Sequence, residues 1–275
     1  MWDEPTTTLL SVDLLAGRLL RTDLTGETRV VAQLDEPLGF VSPGPDGRLV
    51  AGTQTGLGLL DPENGSFELA LPIEPDRPDF RINDGHCDRQ GRLWLGTMSD
   101  RAHDGGRVYR IDPGWTIGFT REGMRLPNGF AWSVDGERMY LADSAAGQVE
   151  IFDYDISSGR PGTLRNVITI PEDEGQPDGM VLDETDCLWV ATWHGGTLRR
   201  YDRDGGLLEV ISVGTPIVAS CAFGGPLRTT LFITTAFYGL PAQERERAPL
   251  AGALMHVETN ARGVPVEAYR LHREW

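Results

Sequence analysis

Apolar residues along this chain come in short runs rather than at a helical period, and the runs recur. Leu9-Leu-Ser-Val-Asp13, Leu49-Val-Ala-Gly-Thr53, Leu93-Trp-Leu-Gly-Thr97, Met139-Tyr-Leu-Ala-Asp143, Leu188-Trp-Val-Ala-Thr192 and Leu231-Phe-Ile-Thr-Thr235 are copies of one strand pattern, spaced roughly 40–50 residues apart as propeller blades are. Each copy is followed by small residues and an alternating segment, often closed by Asp. Examples are Gly105-Gly-Arg-Val-Tyr-Arg-Ile-Asp112, Ala146-Gly-Gln-Val-Glu-Ile-Phe-Asp153 and Gly195-Gly-Thr-Leu-Arg-Arg-Tyr-Asp202. Several copies are preceded by a turn such as Pro45-Asp-Gly-Arg48 or Val134-Asp-Gly-Glu137, where Asp-Gly supplies the positive φ of a tight hairpin. Strand, turn and strand repeated six times predict an all-β, six-bladed β-propeller occupying residues 1–275 as one domain. A β-sandwich explains neither the six copies nor their spacing. The only helical expectation is one short turn over Pro241 to Arg247.

Composition narrows the function. Forty-one acidic against 25 basic residues leave a net charge of −16, which argues against nucleic acid and against anionic membrane surfaces as partners. The three cysteines, Cys87, Cys187 and Cys221, form no CxxC pair, so a cysteine-built zinc site is not expected. Cys187 and Cys221 sit among apolar residues and read as buried thiols, which suits a reducing, cytoplasmic setting. No apolar run approaches the roughly 18–20 residues of a membrane span. Met1-Trp-Asp-Glu-Pro5 has neither the basic start nor the apolar stretch of a signal peptide.

Candidate chemistry lies ahead of three of the strand copies. Arg81-Ile-Asn-Asp-Gly85, Pro127-Asn-Gly129 and Pro177-Asp-Gly179 each read as a polar loop opening onto a strand. Asn83, Asn128 and Asp178 stand about 10–15 residues before their strand copies, in equivalent places of successive repeats. In a propeller this geometry turns them toward a common channel. Pro-Asn-Gly and Pro-Asp-Gly are also ordinary turn sequences; their equivalent placement is what favours a site. Asp178 can ligate a hard cation, act as a general base, or do both, and Asn128 can offer a carbonyl oxygen. Oxygen donors of this kind suit Ca²⁺, Mg²⁺ or Mn²⁺, and Zn²⁺ less well. Arg81 either pairs with a surface carboxylate or binds a polar substrate, and Asn83 either caps a turn or hydrogen-bonds a sugar. Asp84 and Asp88 read as structural. The five histidines are scattered, with His194 the only one near an expected rim. No Gly-x-Ser-x-Gly elbow, phosphate loop or dinucleotide fingerprint is present.

Arg81-Ile-Asn-Asp-Gly, Gly96-Thr-Met98, Pro127-Asn-Gly-Phe-Ala-Trp-Ser133, Pro177-Asp-Gly-Met180 and Ser220-Cys-Ala-Phe-Gly-Gly225, in this order, resemble the regucalcin and gluconolactonase (senescence marker protein) family. The resemblance covers almost the whole chain. It implies a six-bladed propeller that holds one divalent metal and hydrolyses sugar lactones. Asn128 and Asp178 would bind the metal, Asp178 would also accept and return the proton, and Arg81 and Asn83 would hold the substrate. The family's third protein ligand is a Glu in a Gly-Glu-(Ser or Gly)-Pro-x-Trp segment. Met1-Trp2 aligns with the last two residues of that segment, and Glu4 lies beyond the Trp in an expected turn, so it is not assigned. The expectation is that the natural product carries the Glu upstream of Met1. The substrate contact that the family places after Gly-Thr-Met falls near Asp100 and Arg101, where this chain differs, and it is not carried over.

The expected activity is opening of an aldonolactone to the aldonic acid. The rival readings are a related esterase or phosphotriesterase, and a non-catalytic propeller that binds metal, a small molecule or a partner.

Overall fold

In the computed structural model, which describes residues 1–102 and 105–271, all six copies of the first pattern are strands. The strands form six antiparallel sheets, each a simple meander in chain order. The first sheet joins Trp2–Asp3, Thr8–Asp13, Arg18–Thr22 and Thr28–Gln33; the second joins Leu38–Pro43, Leu49–Thr53, Gly56–Leu60 and Phe67–Pro72. The third joins Arg81–Cys87, Leu93–Met98, Gly106–Asp112 and Thr116–Met124; the fourth joins Pro127–Trp132, Arg138–Asp143, Gln148–Asp155 and Arg160–Thr169. The fifth joins Gln176–Leu182, Leu188–Trp193, Thr197–Tyr201 and Leu207–Ser212; the sixth joins Val218–Gly224, Thr230–Thr235 and Leu254–Glu258. Fifty-odd per cent strand arranged this way is the six-bladed β-propeller that the repeat predicts. Ala242–Arg247 forms the one α-helix among the described residues, within the predicted turn. No helix among them is long and apolar enough to cross a membrane.

The packing divides the chain into two compact units. Of the described residues, one unit comprises those within Met1–Asn128, Ile156–Arg160 and 265–271; the other comprises Gly129–Asp155 and Pro161–Val264.

The repeat shows two strands per sheet, yet five of the sheets have four. The strands it shows most clearly are second strands whose residues are largely buried on both faces. Leu49–Thr53 is buried throughout, and so is Leu93–Thr97 within its strand. Such strands read as continuous apolar runs. The fourth strands escape notice because they face water: Thr28–Gln33, Phe67–Pro72 and Leu207–Ser212 are mostly exposed. Charged residues on them, such as Arg29, Glu68 and Glu209, discourage pairing with another chain.

The turns behave as their residues demand. Asp46 and Gly47 have φ of 54° and 75°, and Gly136 has φ of 74°. Asp residues tie several turns down from beneath. The carboxylate of Asp88 accepts from the backbone N–H groups of Gln90 and Arg92 and from Arg92 Nε at 2.6 Å. Asp88 is therefore structural, as the sequence suggests.

Candidate functional site

The three polar segments are strands rather than loops. Arg81–Cys87, Pro127–Trp132 and Gln176–Leu182 are each the first strand of a sheet. The loop reading is corrected here for a physical reason. Polar residues beside Gly resemble turn chemistry, but the strands bearing Asn83 and Asp178 carry β-bulges that take single residues out of the ladder. In the third sheet Gly96 pairs with Asp84 and Thr97 with Ile82, so Asn83 has no partner residue. In the fifth sheet Pro177 pairs with Thr192 and Met180 with Val190, and Asp178 and Gly179 fall in the break. The second and sixth sheets break at the same place, at Gly39 and Ala219. A bulge re-aims a side chain and is a common device beside active sites.

The glycines have a related cause. A Cβ on Gly39 would lie 2.6 Å from the carbonyl oxygen of Ile82 and 2.9 Å from that of Asn83. A Cβ on Gly129 would meet the carbonyl oxygen of Asp178 at 2.6 Å, and one on Gly179 would run into the Ser220 side chain. First strands of neighbouring sheets thus approach backbone to backbone, and only Gly permits it. Gly129 also has φ of 33°. Gly129→Ala should therefore cost about 1–3 kcal/mol, the range for forcing a side chain into a packed, strained position, and lower the melting temperature accordingly. A variant as stable as the parent would mean that the strands can part without cost.

The first unit brings Arg81, Asn83 and the start of the Asn128 strand together. Arg81 is buried, and Asn83 partly so. Arg81 Nη1 donates to Asn83 Oδ1 at 3.1 Å and to the carbonyl of Ile82 at 3.4 Å. Its Nε and Nη2 reach the two carboxylate oxygens of Asp100, each at 3.4 Å, and Nη2 also meets the sulfur of Met98 at 3.2 Å. Asn83 Nδ2 donates to the carbonyl of Pro127 at 3.3 Å. Asn128 itself is buried. Asp100 emerges here as a neighbour of the site that the sequence reading left unassigned.

Within the second unit, Asp178 sits in its bulge with Gly129 packed on its carbonyl and Ser220 against the following Gly179. Ser144 Oγ donates to the carbonyl of Pro177 at 2.6 Å and fastens the same bend. Cys221 is buried, and its thiol is pushed up to about 12, by burial first and then by the Asp178 carboxylate. Nothing in the local sequence of Ser220 marks it as a neighbour of Asp178.

The remaining candidates lie elsewhere. Asp84 accepts from Gly85 N–H at 2.8 Å. Burial holds the His86 imidazole below its usual range, with Asp84 opposing. His194 has φ of 61° and its ring meets that of Trp193 edge-on at 5.9 Å; His103 and His272 lie outside the described residues. Glu4 lies in the turn before Thr8–Asp13 and is exposed. Cys187 is only partly buried, unlike Cys87 and Cys221, because it stands in the turn ahead of Leu188–Trp193 rather than inside the strand. Among the described residues no group of three or more His, Cys, Asp or Glu is placed to hold a metal ion. An amide oxygen, as Asn128 offers, and a carboxylate, as Asp178 offers, are each donors of the kind that hard divalent cations take.

The chain is thus a six-bladed propeller with oxygen and guanidinium groups displayed from bulged first strands. It belongs to the SMP-30/gluconolactonase/LRE-like family, whose model matches residues 1–237. It is 32% identical over 274 residues to regucalcin of Danio rerio, covering 98% of this chain and 92% of that protein. Among solved structures it is similar to a calcium-binding regucalcin from Agrobacterium tumefaciens, with TM-score 0.90, 26% identity and coverage of 98% and 92%. It is also similar to a luciferin-regenerating enzyme, with TM-score 0.89, 28% identity and coverage of 98% and 94%.

Proposed function

We propose that this protein is a divalent-metal-dependent lactonase that opens an aldonolactone to its hydroxy acid, working in the cytoplasm. The observation that carries the reading is the bulge at Asp178. It takes Asp178 out of the strand pairing and seats its backbone against Gly129, the residue next to Asn128. Membership of a family named for gluconolactonase supports the substrate class, and the calcium-binding Agrobacterium relative supports a divalent ion.

Asn128 and Asp178 are assigned to hold the metal. When bound, the ion would polarise the ester carbonyl and stabilise the charge that develops on its oxygen. Asp178 takes a proton from the attacking water as the new C–O bond forms. The ring C–O bond then breaks, and Asp178 returns the proton to the leaving alkoxide, so that water is added across the ester and nothing else is consumed. Arg81 and Asn83 orient the ring hydroxyls; Arg81 suits this because its planar fork is already held rigid by Asn83 and Asp100.

A panel of aldonolactones assayed with Ca²⁺, Mn²⁺, Mg²⁺ or Zn²⁺, before and after chelation, tests the proposal. Hydrolysis that disappears on chelation is expected; none with any metal would sink it. Calorimetry should show Asn128→Ala weakening metal binding at least about tenfold, which is ~1.4 kcal/mol, and unchanged affinity would remove Asn128 from the ligand set. The donor set of one amide and one carboxylate also favours a second reading, a propeller that binds a cation without catalysis. Metal binding with no turnover of any lactone or ester would select it.

A further inference from the structure

Arg81 is not an open anion receptor in this fold. All three of its guanidinium nitrogens already donate within the chain, and two of them face Asp100. The two partners differ in freedom. The Arg81 side chain is 8% exposed and sits in a strand; that of Asp100 is 40% exposed and sits on a turn. The turn is built to present it. Ser99 is buried, and its Oγ accepts from the N–H groups of Arg101 and Ala102 at 3.1 Å each. Arg101 in turn reaches Asp79 at 2.9 Å and leaves Asp100 to Arg81. The Arg81–Asp100 contacts, 3.4 Å on both sides, are longer than the 2.7–2.9 Å of a strong charge-assisted pair. Asp100 fills the fork without closing on it tightly.

We propose that Asp100 is a resident carboxylate that masks Arg81, so that the site receives a neutral polyhydroxy ring and disfavours a hydroxy-carboxylate. This rests on the assignment of Arg81 to substrate binding and gives it a direction. A lactone is neutral and needs hydrogen-bond donors held in place. Its hydrolysis product is an anion of nearly the same outline, which an unmasked, buried guanidinium would hold firmly. With Asp100 present, a hydroxy-carboxylate that turns its carboxylate toward Arg81 must displace a carboxylate already there. Asp100 thereby acts on specificity and on product release, as a positioning residue working through Arg81.

The experiment is a titration of sodium gluconate into the metal-free protein, so that the ion cannot contribute to anion binding. Asp100→Asn keeps the size and the acceptor oxygen and removes the charge. It should bind gluconate about tenfold more tightly than the parent, and the gain should vanish in the Asp100→Asn, Arg81→Gln double variant. Equal or weaker binding by Asp100→Asn overturns the proposal. So does a gain that persists in the double variant, since the anion would then sit elsewhere. A thermal melt of each variant confirms that folded protein is compared. In the metal-loaded enzyme, inhibition by gluconate should tighten in parallel. If the parent hydrolyses no lactone, the functional assignment fails while the titration still decides the role of Asp100.

Discussion

Asp178→Asn should lower kcat/KM for lactone hydrolysis by roughly 10³-fold while leaving the fold intact. That size follows from general-base contributions of about 10²–10⁴-fold, and the same substitution also removes the charge of a proposed metal ligand. Asn is nearly isosteric, so the bulge and the packing of Gly129 on the Asp178 carbonyl, which is backbone, should survive. The melting temperature should therefore move little while turnover collapses. The measurement is steady-state hydrolysis at saturating metal alongside a thermal melt. Activity within tenfold of the parent would show that another group moves the proton. A collapse of activity with a large drop in melting temperature would show that the carboxylate supports the fold and would leave its chemistry undemonstrated.

The second large effect concerns stability. Asp183 is fully buried and accepts five hydrogen bonds, from Thr185 N–H and Oγ, Cys187 N–H, Trp189 Nε1 and Arg200 Nη2. Arg200 also lies over the Trp189 ring, 5.1 Å from its centre. Removing the carboxylate strands a buried indole N–H and leaves Arg200 without its ion-pair partner. Asp183→Ala should cost about 3–5 kcal/mol, the range for breaking a buried pair from one side, and lower the melting temperature by roughly 10 °C. A shift under about 2 °C would refute the account.

The pH dependence adds a separate check. Burial alone would raise the Asp183 carboxyl, but hydrogen bonds from Thr185, Trp189, Cys187 and Arg200 outweigh it and hold the group below its usual range. A carboxylate depressed in the folded state stabilises fully above its unfolded pKa, about 3.9, and loses that contribution as pH falls through the lower folded value. The gap in melting temperature between the parent and Asp183→Ala should be constant from about pH 8 to 5 and narrow below about pH 4. A gap that widens in acid would reverse the sign of the argument.

The six-fold pattern was legible in the sequence because most of its second strands are largely buried on both faces. Leu93–Met98 could be read from its apolar run alone, and Asp46-Gly47 from the positive φ its turn requires. The exposed fourth strands were not legible, since Leu207–Ser212 carries a weak alternation that fits an edge as well as a loop. Arg81, Asn83, Asn128 and Asp178 could be picked out as oxygen-bearing or cationic residues in equivalent places. Their setting could not, because a polar residue beside Gly reads as a turn.

Local chemistry, repeated at a fixed interval, thus determined the class of fold and the identity of the candidate residues. Tertiary structure decided what those residues do to one another. A bulge is visible only in the register between two strands. The need for Gly at 39 and 129 arises from the backbone of a neighbouring sheet, and at 179 from Ser220 of the next one. The occupation of Arg81 by Asp100 joins side chains nineteen residues apart. Each is a contact across the chain, and its energy comes from groups that no local window of sequence contains.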